Sequence, residues 1–141
     1  LMKTDLFELY LNQDFSSQDD VYHFLAEKLA EENHLMVSEI VTKFIKREKL
    51  GNIQIYDRTI MPHFNEQGVP NKIIILRTNR VISKWSEQLK NVQLIIALII
   101  DSDASPQEKE YFQAFIKKLM SSDFMETLLK GTKSQIEGLI K

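Results

Sequence analysis

Histidine is the most reactive side-chain type in this sequence. The chain contains three histidines, His23, His34 and His63, and no cysteine. The lack of cysteine excludes thiol catalysis, disulfide bonds and cysteine-based zinc sites. No two histidines have the i, i+4 spacing of a helical metal site, so we expect no metal centre.

His63 differs from the other two histidines in its setting. It follows Pro62, and proline fixes its own φ angle and lacks a backbone N–H donor, so strand pairing tends to stop there. This predicts that His63 lies at the edge of a sheet, flanked by the apolar residues Met61 and Phe64. A neutral imidazole in such a place can act as a nucleophile. The alternative is a turn histidine packed on Phe64, and we interpret His23 and His34 as surface imidazoles.

The elements that position His63 are predicted from the spacing of apolar residues. Apolar residues at helical spacing follow the capping signal Ser16–Asp20, and a second helical pattern precedes Gly51. Between the helical patterns, alternating and continuous apolar runs predict strands. The predicted helices cover about residues 18–33, 37–48, 106–120, 124–130 (with Asp123 and Glu126 as a capping box) and 134–140, and the predicted strands cover 53–56, 59–61, 73–78, 81–85 (a short edge strand) and 92–100.

The order of these elements predicts an α/β fold. Helices come first, several strands follow, and helices end the chain, which favours one sheet with helices packed on it. With 141 residues the chain has the size of one domain, which we place at residues 1–141. We expect a single mixed, mostly parallel β-sheet flanked by helices on both faces, with a strand order that the pattern does not fix.

Charge and hydropathy narrow the function classes. The formal net charge is −2, without the basic surplus that phosphate contacts require, so we expect no direct contact with nucleic acid. The longest apolar run, residues 94–100, is far shorter than the roughly 20 residues of a membrane span. Residues 1–10 contain Lys3, Asp5 and Glu8 and do not resemble a signal peptide. We therefore expect a cytoplasmic protein without membrane insertion; Leu1 before Met2 indicates either a tag remnant or a domain cut from a longer chain.

Two motifs together resemble a known family. The stretch Phe44–Lys49, which contains Arg47 and Glu48, is followed by Ile60–His63, and His63 lies sixteen positions after Arg47. This arrangement, with Trp85 and the apolar residues 92–98 after it, resembles the type-2 enzyme IIA domains of the bacterial phosphoenolpyruvate-dependent sugar phosphotransferase system, the mannitol and fructose class. The resemblance covers nearly all of the chain from about residue 4 onward.

The resemblance implies roles for particular residues. His63 would be phosphorylated, and Arg47 would hold the phosphoryl oxygens with its paired donors. Without the family pattern, the sequence favours Arg47 as a cation at a helix C-terminus. Glu48 would orient neighbouring groups, and Met61 and Phe64 would border a docking patch for partner proteins. No metal or organic cofactor is implied.

The sequence departs from the family pattern in three places. Tyr56 stands where the family usually has glycine, and Ile60 where it usually has a small residue. A second active-site histidine of the family is replaced near Tyr111, beside Glu110. A tyrosine can donate a hydrogen bond to a phosphoryl oxygen but cannot titrate near neutral pH as imidazole does.

Two phosphorylation-based functions follow from the resemblance. In the first, the chain is a phosphoryl carrier in sugar transport that accepts the group from phospho-HPr and passes it to a IIB domain, acting as a phosphotransferase component through a transient phosphohistidine. In the second, it is a C-terminal regulatory domain of a transcriptional regulator or antiterminator that carries phosphotransferase regulation domains (a PRD-containing regulator), where its phosphorylation reports sugar supply and its partners are other domains of the same chain. A third function is a protein-binding module without phosphorylation, with His63 and Arg47 as relics.

Overall fold

A six-stranded sheet forms the centre of the molecule, in a computed structural model that describes residues 4–140. Residues 1–3 and 141, which the single-domain prediction includes, lie outside the described residues. A 3-10 turn at Thr4–Leu6 leads into the first strand. The strands are β1 (Phe7–Gln13), β2 (Gln54–Tyr56), β3 (Thr59–Ile60), β4 (His63–Glu66), β5 (Lys72–Lys84) and β6 (Lys90–Asp101).

The sheet is mixed. Its order is β1-β5-β6-β3-β2. Strand β4 also pairs with β6, on the same side as β3 but further along β6, at residues 98–101. The pairs β1–β5, β3–β6 and β4–β6 are parallel, whereas β5–β6 and β2–β3 are antiparallel. The long strand β6 therefore carries β3 on its first half and β4, which begins at His63, on its second half.

Helices cover both faces of the sheet, so the predicted fold class is confirmed. Side chains alternate along β5 and β6, and each face buries its own apolar cluster. Ile74, Leu76 and Ile95 point to the cluster under the first two helices, and Ile73 and Ile96 to the cluster under the last three. The helices are α1 (Gln18–Ala30), α2 (Val37–Lys49), α3 (Pro106–Lys118), α4 (Ser122–Lys130) and α5 (Lys133–Ile140).

The predicted strands 73–78 and 81–85 are one strand, β5. The polar residues Asn79 and Arg80 between them indicate an interruption, but the register with β6 only shifts between Arg77 and Ile82 and the strand continues. The buried Thr78 hydroxyl donates to the Arg80 carbonyl at 2.5 Å, which satisfies polar groups inside this irregularity. Among residues 4–140, the part of β5 after Thr78 has β6 as its only partner strand.

The starts of the last two helices differ from the prediction. Ser121, not Asp123, caps α4, since its hydroxyl accepts from the Phe124 N–H at 3.3 Å. At α5, Thr132 and Gln135 exchange hydrogen bonds between backbone and side chain, so this helix starts at Lys133, one residue before the expected Ser134. Ser, Thr and Asp are all good N-cap residues, so the local pattern alone does not decide which of several neighbouring candidates begins the helix.

Within residues 4–140, no helix combines the length and apolar character that crossing a membrane requires. The same residues contain no group of three or more His, Asp or Glu side chains arranged to hold a metal ion.

Candidate functional site

Helix α2 delivers Arg47 to one end of the sheet. Its buried residues Ile40, Val41 and Phe44 fix the helix against the first core cluster. Arg47 lies one turn after Phe44, in the last turn of the helix, and is half-buried. A helix C-terminus favours a cation electrostatically, so the position suits an arginine even before any ligand binds.

Strand β4 delivers His63. Pro62 is buried, and its carbonyl accepts from the Leu98 N–H at 2.9 Å, which anchors the chain to β6 just before the histidine. His63 is the first residue of β4 and pairs with Leu98, and β4 has β6 as its only partner strand among the described residues. His63 therefore lies at a sheet edge, as predicted, but in a paired strand that the sequence pattern did not predict and not in a loop.

Arg47 and His63 line the same cleft. The cleft has a volume of about 400 Å³ and is bounded by the last turns of α2, by β4 and by the end of β6. Its lining residues are Lys43, Arg47, His63, Phe64, Asn65, Glu66 and Ile100. A cationic guanidinium and a partly accessible imidazole therefore share one open concavity.

The cleft keeps the His63 imidazole neutral. Partial burial lowers the pKa of His63 below its usual value near 6.5, and the positive charge of Arg47 lowers the pKa further. A lowered histidine pKa means that the ring remains uncharged at neutral pH and keeps a lone pair on one nitrogen. This is the protonation state of a nucleophile.

The two cations of the cleft, Lys43 and Arg47, differ in their ion pairs. Lys43 is bound to Glu66, with 3.2 Å between its Nζ and the Glu66 Oε2. Within residues 4–140, Arg47 forms no ion pair with a carboxylate. The guanidinium therefore keeps its donors for an anion that enters the cleft.

Glu48 faces away from this cleft. Its carboxylate accepts hydrogen bonds from the Tyr22 hydroxyl at 2.5 Å, the Trp85 Nε1 at 3.0 Å and the Gln18 Nε2 at 3.0 Å. The nearby carboxylate raises the pKa of Tyr22, after the larger effect of burial. Glu48 thus bonds to other elements of the protein, and it does not line the His63 cleft.

The structure places Tyr111 at a different cavity from His63. This second cavity, of about 190 Å³, is also lined by Asp5, Leu6 and Lys72, and Gln107 donates to the Tyr111 hydroxyl at 3.3 Å. The ring packs against the core cluster of the opposite sheet face. The structure therefore does not bring Tyr111 together with Arg47 and His63.

Met61 and Phe64 lie on opposite faces of the sheet. Phe64 is only 2% exposed and packs on Phe44, with 5.1 Å between the ring centroids, while its outer edge lines the cleft. Met61 is partly buried against the opposite cluster. Because side chains along an extended chain alternate between the two faces of a sheet, neighbours of one histidine can belong to both cores.

The two remaining departures from the family pattern do not enter the cleft. Ile60 is fully buried in the first core cluster. The Tyr56 hydroxyl donates to Glu126 Oε2 at 2.6 Å and so ties β2 to α4, and this hydrogen bond raises the pKa of Tyr56. Both side chains are part of the scaffold.

Sequence reasoning missed four residues of the cleft: Lys43, Asn65, Glu66 and Ile100. Two of them had a signal. Lys43 precedes Arg47 by four residues, one helical turn, and Asn65 follows His63 by two residues, on the same side of a strand. Ile100 enters through the pairing of β4 with β6, opposite Asn65, which only the fold reveals.

The comparisons with known proteins concern the family and the fold of this chain. The model of the family described as "Phosphoenolpyruvate-dependent sugar phosphotransferase system, EIIA 2" matches residues 1–141. A search of curated proteins found no match.

Solved structures show the same fold. The nitrogen regulatory protein IIA-Ntr from Neisseria meningitidis superimposes with a TM-score of 0.78 at 17% identity, covering 98% of each chain. IIA-Mtl in its complex with phosphorylated IIB-Mtl from Escherichia coli gives 0.67 at 15% identity, covering 96% of this chain and 98% of that one. IIA mannitol from Escherichia coli gives 0.68 at 14% identity, covering 94% and 95%.

Proposed function

Because the chain belongs to the EIIA type-2 family of the phosphoenolpyruvate-dependent sugar phosphotransferase system, we propose that it is a phosphoryl carrier whose His63 accepts a phosphoryl group from phospho-HPr and passes it to a IIB domain. Membership of this family supports a phosphoryl carrier role in general. The particular donor, acceptor and site residues are our proposal. By analogy with the family, the reaction would take place in the cytoplasm.

One observation carries the proposal: Arg47 and His63 line the same cleft, and the histidine is held in its neutral form. A phosphoryl carrier needs a nucleophile that a partner protein can reach and a cation that stabilises the transferring group. The sheet edge supplies access, and α2 supplies the cation.

The transfer step follows from these two side chains. A ring nitrogen of His63 attacks the phosphorus, and the N–P bond of the donor histidine breaks as the new N–P bond forms. The donor imidazole leaves with the electron pair of the broken bond. Negative charge on the phosphoryl oxygens increases the attraction to Arg47, whose paired donors fit two of those oxygens. In the passage to the acceptor, a nucleophilic side chain of the IIB domain attacks the phosphorus, the N–P bond to His63 breaks, and the His63 imidazole leaves with the electron pair of that bond.

Docking would bring the partner to the edge that contains β4. IIA-Mtl has been solved in complex with phosphorylated IIB-Mtl, which supports a IIB domain as the acceptor of this chain too. Met61 would contribute apolar surface beside the histidine. Phe64, buried as it is, would hold the floor of the cleft and would expose only its outer edge to a partner.

Tyr111 remains a predicted supporting residue. Its position at another cavity means that it would act on the phosphoryl group only after α3 and β4 approach each other. We therefore assign the chemistry to His63 and Arg47 and leave Tyr111 to a direct test, in which Tyr111→Phe would slow transfer if the hydroxyl takes part.

A regulatory function is the second candidate. Among the residues that line the cleft, His63 is the only histidine, so a second imidazole that could assist onward transfer is missing there. A domain that reports its phosphorylation, as in a PRD-containing regulator or antiterminator, does not need fast onward transfer. The similarity to a nitrogen regulatory protein is compatible with this alternative.

The experiment is phosphorylation of the purified protein. We expect incubation with phosphoenolpyruvate, enzyme I and HPr to add one acid-labile phosphoryl group, detected by intact mass spectrometry and located by fragmentation. His63→Ala should abolish the addition, whereas the matched control His23→Ala should leave it unchanged. A phosphoryl group on His63→Ala, or none on the wild type, would overturn the proposal.

Adding a IIB domain to the phosphorylated protein separates the two candidates. Rapid loss of the group to IIB supports the carrier, and a group that persists on His63 supports the regulator.

A further inference from the structure

The carboxylate of Glu48 collects hydrogen bonds from two separate parts of the fold. Gln18 and Tyr22 belong to α1, and Trp85 lies in the hairpin that connects β5 to β6. Tyr22 and Trp85 both donate to Oε1, and Gln18 donates to Oε2. Both carboxylate oxygens are therefore engaged, and each is charge-assisted as an acceptor.

The donors themselves are rigid. Tyr22 is 0% exposed and Trp85 is 3% exposed. The Tyr22 ring stacks on Phe44 with 4.8 Å between centroids and meets the Trp85 ring edge-on at 5.4 Å. Side chains packed in this way cannot follow a mobile carboxylate, so they hold Glu48 in one place.

Glu48 lies at the end of the helix that carries Arg47. Helix α2 ends at Lys49, and the next residue, Leu50, is 82% exposed. The last turn of a helix has backbone carbonyls without helical partners and tends to fray. A side chain fixed at position 48 restrains the backbone of this turn, and with it the direction in which Arg47 leaves the helix.

We propose that Glu48 is the positioning residue of the phosphoryl site: it binds Tyr22, Trp85 and Gln18 and thereby holds the last turn of α2 so that Arg47 reaches the cleft at His63. This rests on the proposed function of His63. Glu48 does not transfer a proton in this scheme, because its oxygens are occupied and it lies outside the cleft. The aromatic stack of Tyr22, Phe44 and Phe64 extends the same support to β4.

The test compares Glu48→Ala with Glu48→Gln in otherwise wild-type protein. A glutamine oxygen can still accept from Tyr22 and Trp85, and the Gln18 amide can rotate to accept from the new amide group. We expect Glu48→Ala to slow phosphorylation of His63 about tenfold to a hundredfold, the scale of a misplaced catalytic group, and Glu48→Gln to restore most of the rate.

A double-mutant cycle shows whether Glu48 acts through Arg47. In an Arg47→Ala background, Glu48→Ala should change the rate by less than about twofold, since the guanidinium it positions is gone. An NMR titration of the His63 imidazole gives a readout independent of transfer: Glu48→Ala should raise the His63 pKa toward its value in Arg47→Ala. Where Glu48→Ala does not fold, Tyr22→Phe, which removes one donor, replaces it in the same cycle.

The outcomes are separable. A wild type that takes no phosphoryl group refutes the proposed function, and the imidazole titration still tests the positioning. A phosphorylated wild type with an unchanged Glu48→Ala rate, or an equal Glu48→Ala effect with and without Arg47, refutes the positioning alone. Loss of activity in Glu48→Gln as large as in Glu48→Ala would assign the role to the charge of Glu48 and would also refute it.

Discussion

At the scale of single residues, the same guanidinium acts on two states of His63 in opposite ways. Arg47 disfavours the protonated imidazole, which lowers the histidine pKa, and it attracts the dianionic phosphoryl group that replaces the proton. A cation placed beside a histidine therefore prepares the nucleophile before transfer and stabilises the product after it. Partial burial of the ring adds to the first effect and strengthens the second, because charges interact more strongly where less water surrounds them.

Arg47→Ala tests both effects at once. We expect the His63 pKa to rise, because the second cause of its depression is removed, and the phosphorylation rate to fall about a hundredfold, as for the loss of one charge-stabilising group. NMR titration and the relay assay measure the two quantities. Lys46→Ala, an exposed cation next to Arg47 on the same helix, is the control; equal behaviour of the two variants would remove Arg47 from the site.

At the scale of elements, the site depends on where each element ends. Strand β4 begins at His63 because Pro62 closes the preceding segment, and α2 ends two residues after Arg47. A helix on the other face of the sheet shows the same dependence: α4 starts at Ser122, directly after its N-cap residue Ser121. At α4 the Ser121 hydroxyl accepts from the Phe124 N–H, and Asp123 adds a negative charge in the first turn.

Ser121→Ala should destabilise the protein by about 1 kcal/mol, because the first turn of α4 loses the oxygen that accepts from the Phe124 N–H. Urea unfolding followed by circular dichroism measures the change. Asp123→Ala removes only a carboxylate from the first turn and should cost less. A larger loss for Asp123→Ala than for Ser121→Ala would return the cap to Asp123.

At the scale of the whole molecule, two apolar clusters share one sheet and the candidate site lies at its open edge. Strand β4 contributes Phe64 to the first cluster, while its neighbour Met61 contacts the second. The histidine between them is thus half-buried by both layers. Its protonation is consequently linked to the folding of the entire domain.

Acidification should weaken the fold through His63. The folded-state pKa lies below the unfolded value near 6.5, so the unfolded chain binds more protons as the pH falls through that window, and the free energy of unfolding decreases. Urea titrations at about pH 7.5 and about pH 5.5 measure the decrease. His63→Gln should show a smaller decrease over the same interval; an identical decrease in both proteins would contradict the lowered pKa.

Local sequence determined much of this protein. The helical spacing before Gly51 placed an arginine at a helix end, the Pro62–His63 pair placed a histidine at a sheet edge, and the resemblance joined them into one site; strand β4, which begins at His63, was not predicted. Helix and strand patterns repeat over a few residues, so they can be predicted without knowledge of the fold. The fold class followed from the order of these elements.

Only the tertiary structure decided which side chains meet. The donors to Glu48 lie 30, 26 and 37 residues away from it along the chain, and no periodicity relates them. In sequence, Tyr111 stood near the position of the family's second histidine. In the fold, Tyr111 packs against the apolar cluster on one face of the sheet, whereas Phe64, the neighbour of His63, belongs to the cluster on the other face. Contacts of this kind depend on strand order and on the face of the sheet that each helix covers, and these follow from the packing of the entire chain.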